Sequence, residues 1–194
     1  MRELAILTFV SLDGVMQGPS GPDEDPSGGF TRGGWAQACW DAVMEQVKVE
    51  AMAEPYDLLL GRTTYELFAA GAPEASDPLS IMLNNATKYV VTSAPGNLEW
   101  QNSVVVGGDI AGEIAKLKDQ DGPLLQVHGS GELIQLLLAH GLIDEFRLWT
   151  FPVLVGSGKR LFDSGCVPTD LSLVKTATTP GGATMSIYRR AAAG

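Results

Sequence analysis

The sequence predicts an α/β fold in three layers, α/β/α, with a mostly parallel twisted sheet and an antiparallel hairpin at its C-terminal edge. Short apolar runs that end at glycine turns alternate with amphipathic stretches through the first two thirds of the chain, as expected for strands alternating with helices. Two strand-like runs joined by Pro180–Gly182 predict the hairpin. Because no repeat or second domain is evident in the 194 residues, we expect a single domain over residues 1–190 and a frayed tail at 191–194.

The first predicted strand is Leu4–Val10, and a turn at Ser11–Gly14 follows its carboxyl end. Ligands collect at the carboxyl ends of strands in open α/β sheets, so Asp13 is a candidate catalytic carboxylate facing a pocket. The alternative, and the commoner use of an aspartate there, is to cap the turn. Residues 17–34, rich in Gly, Pro and Ser, predict a mobile loop, either a flap over a site or disordered surface.

Residues Trp35–Ala53 are predicted to form a helix because apolar side chains recur at steps of three and four and Pro55 follows. Asp41 and Glu45 lie one turn apart on this helix. Either carboxylate is a candidate for acid chemistry, but a position on the solvated face of the helix is the simpler interpretation of both.

Three further strands end in groups that suit an anion. Glycine lets backbone amides approach a ligand, a helix start presents unpaired N–H groups, and arginine offers a planar fork for phosphate. The strands and the groups at their ends are Asp57–Leu60 with Gly61, Arg62, Thr63 and Thr64; Lys88–Thr92 with Thr92 and Ser93; and Leu124–Val127 with Gly129, Ser130 and Gly131. Ordinary turn geometry or a helix cap would explain each group alone. Together they predict a site for a phosphate or pyrophosphate.

The remaining pattern completes the sheet and its helices. The predicted helices are Leu79–Ala86, Ile110–Lys118 and Glu132–His140, and the predicted strands are Ser103–Val106, Glu145–Val155, Leu171–Thr178 and Ala183–Arg190. Pro152 interrupts one of these strands and predicts an edge or a bulge. The helix containing Leu133–Leu138 has more apolar surface than one sheet face can cover, so we expect a homodimer.

Composition argues against several classes of partner. The formal net charge is -10 and the pI is about 4.5, so nucleic acid and anionic membranes, which need basic patches, are not expected. The two cysteines and two histidines lack the spacing of a metal site, and no metal is expected. The chain starts in a strand-like pattern without a secretion signal and has no long apolar run, so we expect a cytoplasmic protein.

Four motifs occur in the order found in dihydrofolate-reductase-like proteins, and the resemblance covers nearly the whole chain. They are GRTTYE at 61–66, TSAPG at 92–96, HGSGEL at 128–133 and LIDEFRLWTFPVLVGSGKRLF at 142–162. The SLDG at 11–14 and the GSGKRLF segment most closely resemble the subgroup related to the reductase domain of the bifunctional riboflavin biosynthesis deaminase-reductase.

This resemblance implies NADPH as the cofactor. The residues that it assigns to the pyrophosphate are Gly129, Ser130, Gly131, Glu132 and Leu133, and those assigned to the phosphates from the facing strand are Gly61, Arg62, Thr63 and Thr64. Thr92 and Ser93 are placed beside the adenosine ribose, where their hydroxyls and Arg62 are expected to recognise the 2′-phosphate.

The resemblance also implies hydride transfer to a small planar heterocycle resembling a pterin, a flavin or a pyrimidine. The expected substrate contacts are Phe9, Val10, Ser11, Asp13, Trp35 and Thr150, with the glycine-rich loop as a cover. Glu45 falls where the catalytic carboxylate of dihydrofolate reductases sits. The alternative is a module of the same fold that binds a nucleotide or a partner without turnover.

Overall fold

The computed structural model describes residues 1–71, 78–94, 96–163 and 166–191. Pro95 of the TSAPG motif and residues 192–194 of the predicted tail lie outside these ranges. The strands are β1 Leu4–Ser11, β2 Tyr56–Gly61, β3 Lys88–Val91, β4 Ser103–Val106, β5 Leu124–His128, β6 Glu145–Phe151, β7 Leu171–Thr178 and β8 Thr184–Arg190. The helices are α1 Ala42–Ala51, α2 Arg62–Ala69, α3 Pro78–Asn85, α4 Ile110–Asp119 and α5 Gly131–Ala139.

The eight strands form one sheet in the order β4-β3-β2-β5-β1-β6-β8-β7. The first six in this order pair in parallel, whereas β8 runs antiparallel to both β6 and β7. This arrangement confirms the predicted parallel sheet with an antiparallel C-terminal hairpin. The carboxyl ends of β1, β2, β3 and β5 consequently meet at one edge of the sheet, which we call the carboxyl edge.

Two hydrophobic clusters lie on opposite faces of the sheet and give the three layers. On one face Leu58 and Trp149 pack with residues of α1, α2 and α3, including Met44 and Tyr65. On the other face the core contains Leu59, Val127 and side chains of α4 and α5. Alternate residues of the same strand serve the two clusters, as the two-residue period of a strand requires.

The first helix is shorter than predicted because it starts at Ala42 rather than Trp35. Asp41 has an extended backbone, and its side chain accepts a hydrogen bond from the Met44 N–H, which fixes the helix start. The preceding residues form a 3₁₀ turn at Gln37–Cys39. The strand β6 is likewise shorter than expected, since it ends at Phe151, directly before Pro152, which has no N–H to donate.

Residues 17–34 make hydrogen bonds within the segment and contacts with the domain. The Gln17 side chain donates to the carbonyls of Asp25 and Ser27, at 3.0 and 2.9 Å. Trp35 Nε1 donates to the Gln17 carbonyl at 2.7 Å, and Phe30 is buried in the core. The mobility of this loop stays a prediction.

Most apolar side chains of α5 are buried within the single chain. Leu133, Ile134, Leu137 and Leu138 lie in the cluster of the second face, whereas Leu136 is half-buried and Ala139 is exposed. The homodimer remains a prediction. Within the described ranges, none of the helices combines the length and apolar character needed to cross a membrane.

Candidate functional site

Two of the three predicted anion-binding segments are joined directly at the carboxyl edge. The Gly61 N–H donates to Ser130 Oγ at 3.1 Å, although 69 positions separate the two residues. Ser130 Oγ also donates to the carbonyl of His128 at 3.1 Å. Ser130 has a φ of 51°, a left-handed conformation that is uncommon for a residue with a Cβ. The serine thus connects the start of α5 to the start of α2 through this hydrogen bond.

The starts of α2 and α5 differ from those of α1 and α4. Asp41 and Asp109 cap α1 and α4 by accepting from the N–H groups of Met44 and Gly112. Among the described residues, no side chain caps α2 or α5. Their first N–H groups therefore lack the acceptor that a capping side chain supplies, and the positive ends of both helix dipoles add to the attraction for an anion.

Arg62 supplies the cation at this edge. Its Nε donates to Glu66 Oε1 at 2.6 Å, one turn along α2. Its Nη1 is buried and has no hydrogen-bond partner among the described residues. The side chain borders a groove of about 640 Å³ that is also lined by Tyr65, Trp100 and two carboxylates, Glu66 and Glu99. The feature of Arg62 that fits an anionic oxygen is therefore the buried Nη1 without an acceptor, rather than the groove.

The third segment lies on the neighbouring strand at the same edge. Gly61 of β2 and Val91 of β3 are register partners, so Thr92 follows β3 where Arg62 follows β2. Thr92 Oγ1 donates to the carbonyl of Ala94 and accepts from its N–H, both at 3.1 Å. The structure therefore brings all three predicted segments to one edge of the sheet.

The remaining residues predicted to bind the cofactor differ in their exposure to solvent. Thr63, Gly129 and Glu132 are exposed, and Thr64 is half-buried beside Gly129. The side chain of Leu133 is buried in the core of the second face, so only its backbone N–H could serve a cofactor. Gly129 has a φ of +54°, where a side chain would be strained, which explains a glycine at this turn.

The substrate side of the edge is dominated by aromatic rings around Phe9. Its ring centroid lies 5.6 Å from Trp40, 6.2 Å from Trp149 and 5.5 Å from Phe151, each in an edge-to-face arrangement. Trp35 packs edge-to-face on Phe151 at 5.6 Å. The predicted residues Phe9 and Trp35 thus belong to one aromatic cluster on the face of the sheet covered by α1.

Val10 and Thr150 do not belong to this cluster. They are register partners of each other, as are Phe9 and Trp149, and adjacent residues of a strand point to opposite faces. The side chain of Val10 packs in the cluster on the α4–α5 face. The side chain that contacts the Phe9 ring from β6 is Trp149. The predicted substrate contacts of Val10 and Thr150 stay predictions.

Ser11 and Asp13 hold the turn after β1. Ser11 Oγ donates to Asp13 Oδ1 at 2.6 Å and accepts from the Val15 N–H at 2.9 Å. The N–H groups of Val155 and Gly156 donate to the Asp13 carboxylate at 3.0 and 2.7 Å. These hydrogen bonds lower the pKa of Asp13 and keep its carboxylate ionised, and the bond from Ser11 has the largest effect. Asp13 is therefore an anchor, the alternative that the sequence left open, rather than a proton donor or a substrate contact.

Glu45 lies exposed in the first turn of α1, and its catalytic role stays a prediction. The described residues also contain no group of three or more His, Cys, Asp and Glu side chains that could hold a metal ion.

His128 is buried directly before the glycine turn at Gly129. Its Nε2 lies 2.9 Å from Gln126 Oε1, and its ring centroid is 6.3 Å from Tyr56 and 6.1 Å from Phe68. Burial, followed by the positive charges of Lys48 and Arg147, lowers the pKa of His128 to about 3. The imidazole is therefore neutral at ordinary pH.

Sequence reasoning missed Trp40, Lys48 and Trp149. The Lys48 ammonium nitrogen lies 5.2 Å from the centroid of the Trp40 ring. Strict alternation along β6, which places Trp149 and Phe151 on one face, was a signal that could have identified Trp149. Trp40 gave no such signal, because it precedes a helix start that the apolar spacing placed incorrectly, and Lys48 lies inside the helix in both the prediction and the structure.

The sheet order and the edge with two uncapped helices define a dihydrofolate-reductase-like α/β domain. The chain matches the family described as the RibD C-terminal domain over residues 2–185, and it belongs to that family. Uncharacterized protein YyaP of Bacillus subtilis is 28% identical over 196 residues, covering 96% of this chain and 94% of that protein. Uncharacterized protein YwjB of the same organism is 29% identical over 119 residues, covering 61% and 65%.

Solved structures share the fold. A putative riboflavin biosynthesis protein from Shewanella sp. PV-4 superposes with a TM-score of 0.67 at 21% identity, covering 99% of this chain and all of that one. Dihydrofolate reductase from Enterococcus faecalis gives 0.62 at 17% identity, with coverage of 97% and 96%. A pyrimidine reductase-like protein from Corynebacterium diphtheriae gives 0.64 at 12% identity, with coverage of 99% and 93%. The family and these neighbours place the chain among reductase-like proteins.

Proposed function

We propose that the protein is an NADPH-dependent reductase that transfers hydride to a small planar heterocycle. The observation that carries this proposal is the pair of uncapped helix starts, joined by the bond from Gly61 to Ser130, with the orphaned Nη1 of Arg62 beside them. Such an edge suits the pyrophosphate and the 2′-phosphate of the cofactor. The structure of dihydrofolate reductase with NADP(H) supports it by analogy of fold.

In this proposal NADPH supplies the hydride, and the chain supplies binding and orientation. The N–H groups at the starts of α2 and α5 hold the pyrophosphate, while Arg62 and the hydroxyls of Thr92 and Ser93 hold the ribose phosphate. The aromatic cluster at Phe9 binds the planar ring of the substrate and limits the access of water.

Thermal unfolding with NADPH and with NADH tests the cofactor assignment, since a ligand that binds only the folded state raises the melting temperature by mass action. We expect NADPH to give the larger shift in the native protein. Arg62→Ala should weaken NADPH about tenfold and NADH little, because only NADPH carries the 2′-phosphate. Arg190→Ala is a matched control, because Arg190 ends β8 at the opposite edge of the sheet. No shift with either nucleotide at millimolar concentration would refute the proposal.

The second candidate is a nucleotide-binding module without turnover. It is favoured by the placement of Asp13, whose carboxylate is held by Ser11 and by the N–H groups of Val155 and Gly156. Oxidation of NADPH is followed at 340 nm with pterins, flavins and pyrimidines. Steady consumption with any of them would exclude the module, and binding without consumption would support it.

A further inference from the structure

We propose that the outer strand β7 is an interface between two copies of this chain, which pair through it around a twofold axis at Ser172. This interface gives the expected homodimer a surface that does not involve α5. It is independent of the cofactor and of the substrate proposed above, because three strands, β1, β6 and β8, lie between β7 and β5 in the sheet.

Strand β7 has one unpaired side. It is the last strand of the sheet, and within the described residues its strand partner is β8 alone. Seven of its eight residues are exposed, and the eighth, Ala177, is half-buried. The outward N–H and C=O groups of β7 therefore form an open ladder, which is the template that another strand edge needs. The strand at the other end of the sheet, β4, has only four residues.

An apolar surface continues from β7 onto the face of the sheet that α4 and α5 cover elsewhere. Leu173 is the register partner of Tyr188, which in turn pairs with Phe146, a residue of the core on that face. The ring centroid of Phe146 lies 6.3 Å from that of Phe162. Leu171 shares the face of Leu173, two positions away. Leu171, Leu173 and Phe162 are 38, 55 and 50% exposed, and a continuous exposed apolar surface marks an interaction site.

A second copy of β7 fits this surface in a specific register. Antiparallel pairing centred on Ser172 places Leu171 of each copy directly opposite Leu173 of the other. The four leucines then form one apolar cluster on the face that carries Phe162. Because each copy offers the same surface to the other, the contact is isologous and the assembly closes at two copies.

The charges beside β7 are complementary in the same register. The bulge between Leu173 and Lys175 turns Lys175 to the face of Ser172, since the β8 partners of Ser172 and Lys175 are two positions apart. Asp170 precedes Ser172 by two positions and continues the ladder, because its carbonyl accepts from the Ala191 N–H. It therefore shares this face. Each Lys175 would lie beside Asp170 of the other copy, so the interface brings opposite charges together twice.

The charge of the whole chain also favours this surface for contact between copies. A net charge of -10 makes most approaches between two copies repulsive. Strands β7 and β8 contain three basic residues, Lys175, Arg189 and Arg190, and no acidic residue. Arg189 is paired with Glu145 of its own chain. Two copies therefore meet at β7 without the acidic repulsion of the rest of the molecule.

Sedimentation velocity at micromolar concentrations tests the assembly. We expect a dimer of the native protein, and Leu173→Asp should raise its dissociation constant about hundredfold, because a carboxylate enters the leucine cluster. Val105→Asp is the matched control, since Val105 is an exposed valine on β4, and it should leave the dissociation constant unchanged. Circular dichroism checks that both variants are folded. A native monomer, a dimer that survives Leu173→Asp, or a dimer that Val105→Asp disrupts would overturn the inference.

A cysteine on the twofold axis tests the register. The background is Cys166→Ser, which removes an exposed thiol. Ser172→Cys should form an intermolecular disulfide under mild oxidation, because the two copies of residue 172 face each other within the spacing of a disulfide. Thr176→Cys is the control on the same exposed strand, since its two copies lie roughly 25 Å apart in this register. No cross-link in Ser172→Cys, or an equal cross-link in Thr176→Cys, would refute the proposed pairing.

Discussion

The buried imidazole of His128 should make the fold sensitive to mild acid. Its pKa is about 3 in the folded protein and 6.5 in the unfolded chain, so the unfolded chain binds a proton more readily. A group with a lowered folded pKa adds stability above its unfolded pKa and loses it as the pH falls. The contribution of His128 is thus complete above pH 6.5 and declines down to pH 3.

The magnitude follows from the slope of linkage. Within this window the unfolded chain holds one more proton than the folded protein, which costs about 1.4 kcal/mol of unfolding free energy per pH unit. From pH 7 to pH 5 the loss is about 2 kcal/mol, a large share of the stability of a typical domain. Asp13 and Asp41 have pKa values lowered from 3.8, so their own losses begin below pH 5 and do not confuse the measurement.

Urea unfolding followed by circular dichroism at pH 7 and pH 5 measures this loss. In His128→Gln the difference between the two pH values should shrink to a few tenths of a kcal/mol, whatever the substitution itself costs. The chain has only one other histidine, the exposed His140, so His140→Gln is a matched control and should retain the full difference. An equal loss in His128→Gln and the native protein would refute the assignment of the buried neutral state.

Three further predictions test the edge and its support. Asp13→Asn should lower the melting temperature, because an amide cannot replace the carboxylate that accepts hydrogen bonds from the N–H groups of Val155 and Gly156. Lost turnover with an unchanged melting temperature would instead indicate that Asp13 is a catalytic group. Lys88 Nζ donates to three carbonyls at the end of α3, so Lys88→Met should lower the free energy of unfolding, measured in urea, by about 2 kcal/mol. Lys175 is exposed, and Lys175→Met should change this free energy little. Ser130→Gly preserves the left-handed turn but removes the acceptor of the Gly61 N–H, so the affinity for NADPH measured by calorimetry should fall about fivefold. An unchanged affinity would show that this hydrogen bond does not shape the site.

The carboxyl edge was predictable because its signals are local. A strand, a glycine and a helix start identify their own geometry within about ten residues, and parallel pairing brings such ends together. Gly61, Arg62 and Ser130 therefore lie where the sequence placed them. The bond from Gly61 to Ser130 and the orphaned Nη1 of Arg62 depend on distant residues and could not be inferred from either segment alone.

The substrate side was less predictable because strand faces alternate at every residue. A shift of one position along a strand moves a side chain to the other face of the sheet, and the β6 ring beside Phe9 belongs to Trp149, the residue before Thr150. The start of α1 was misplaced for a different reason. Aromatic and apolar residues from Trp35 onward imitate helical spacing, although the cap at Asp41 begins the helix seven positions after Trp35, at Ala42.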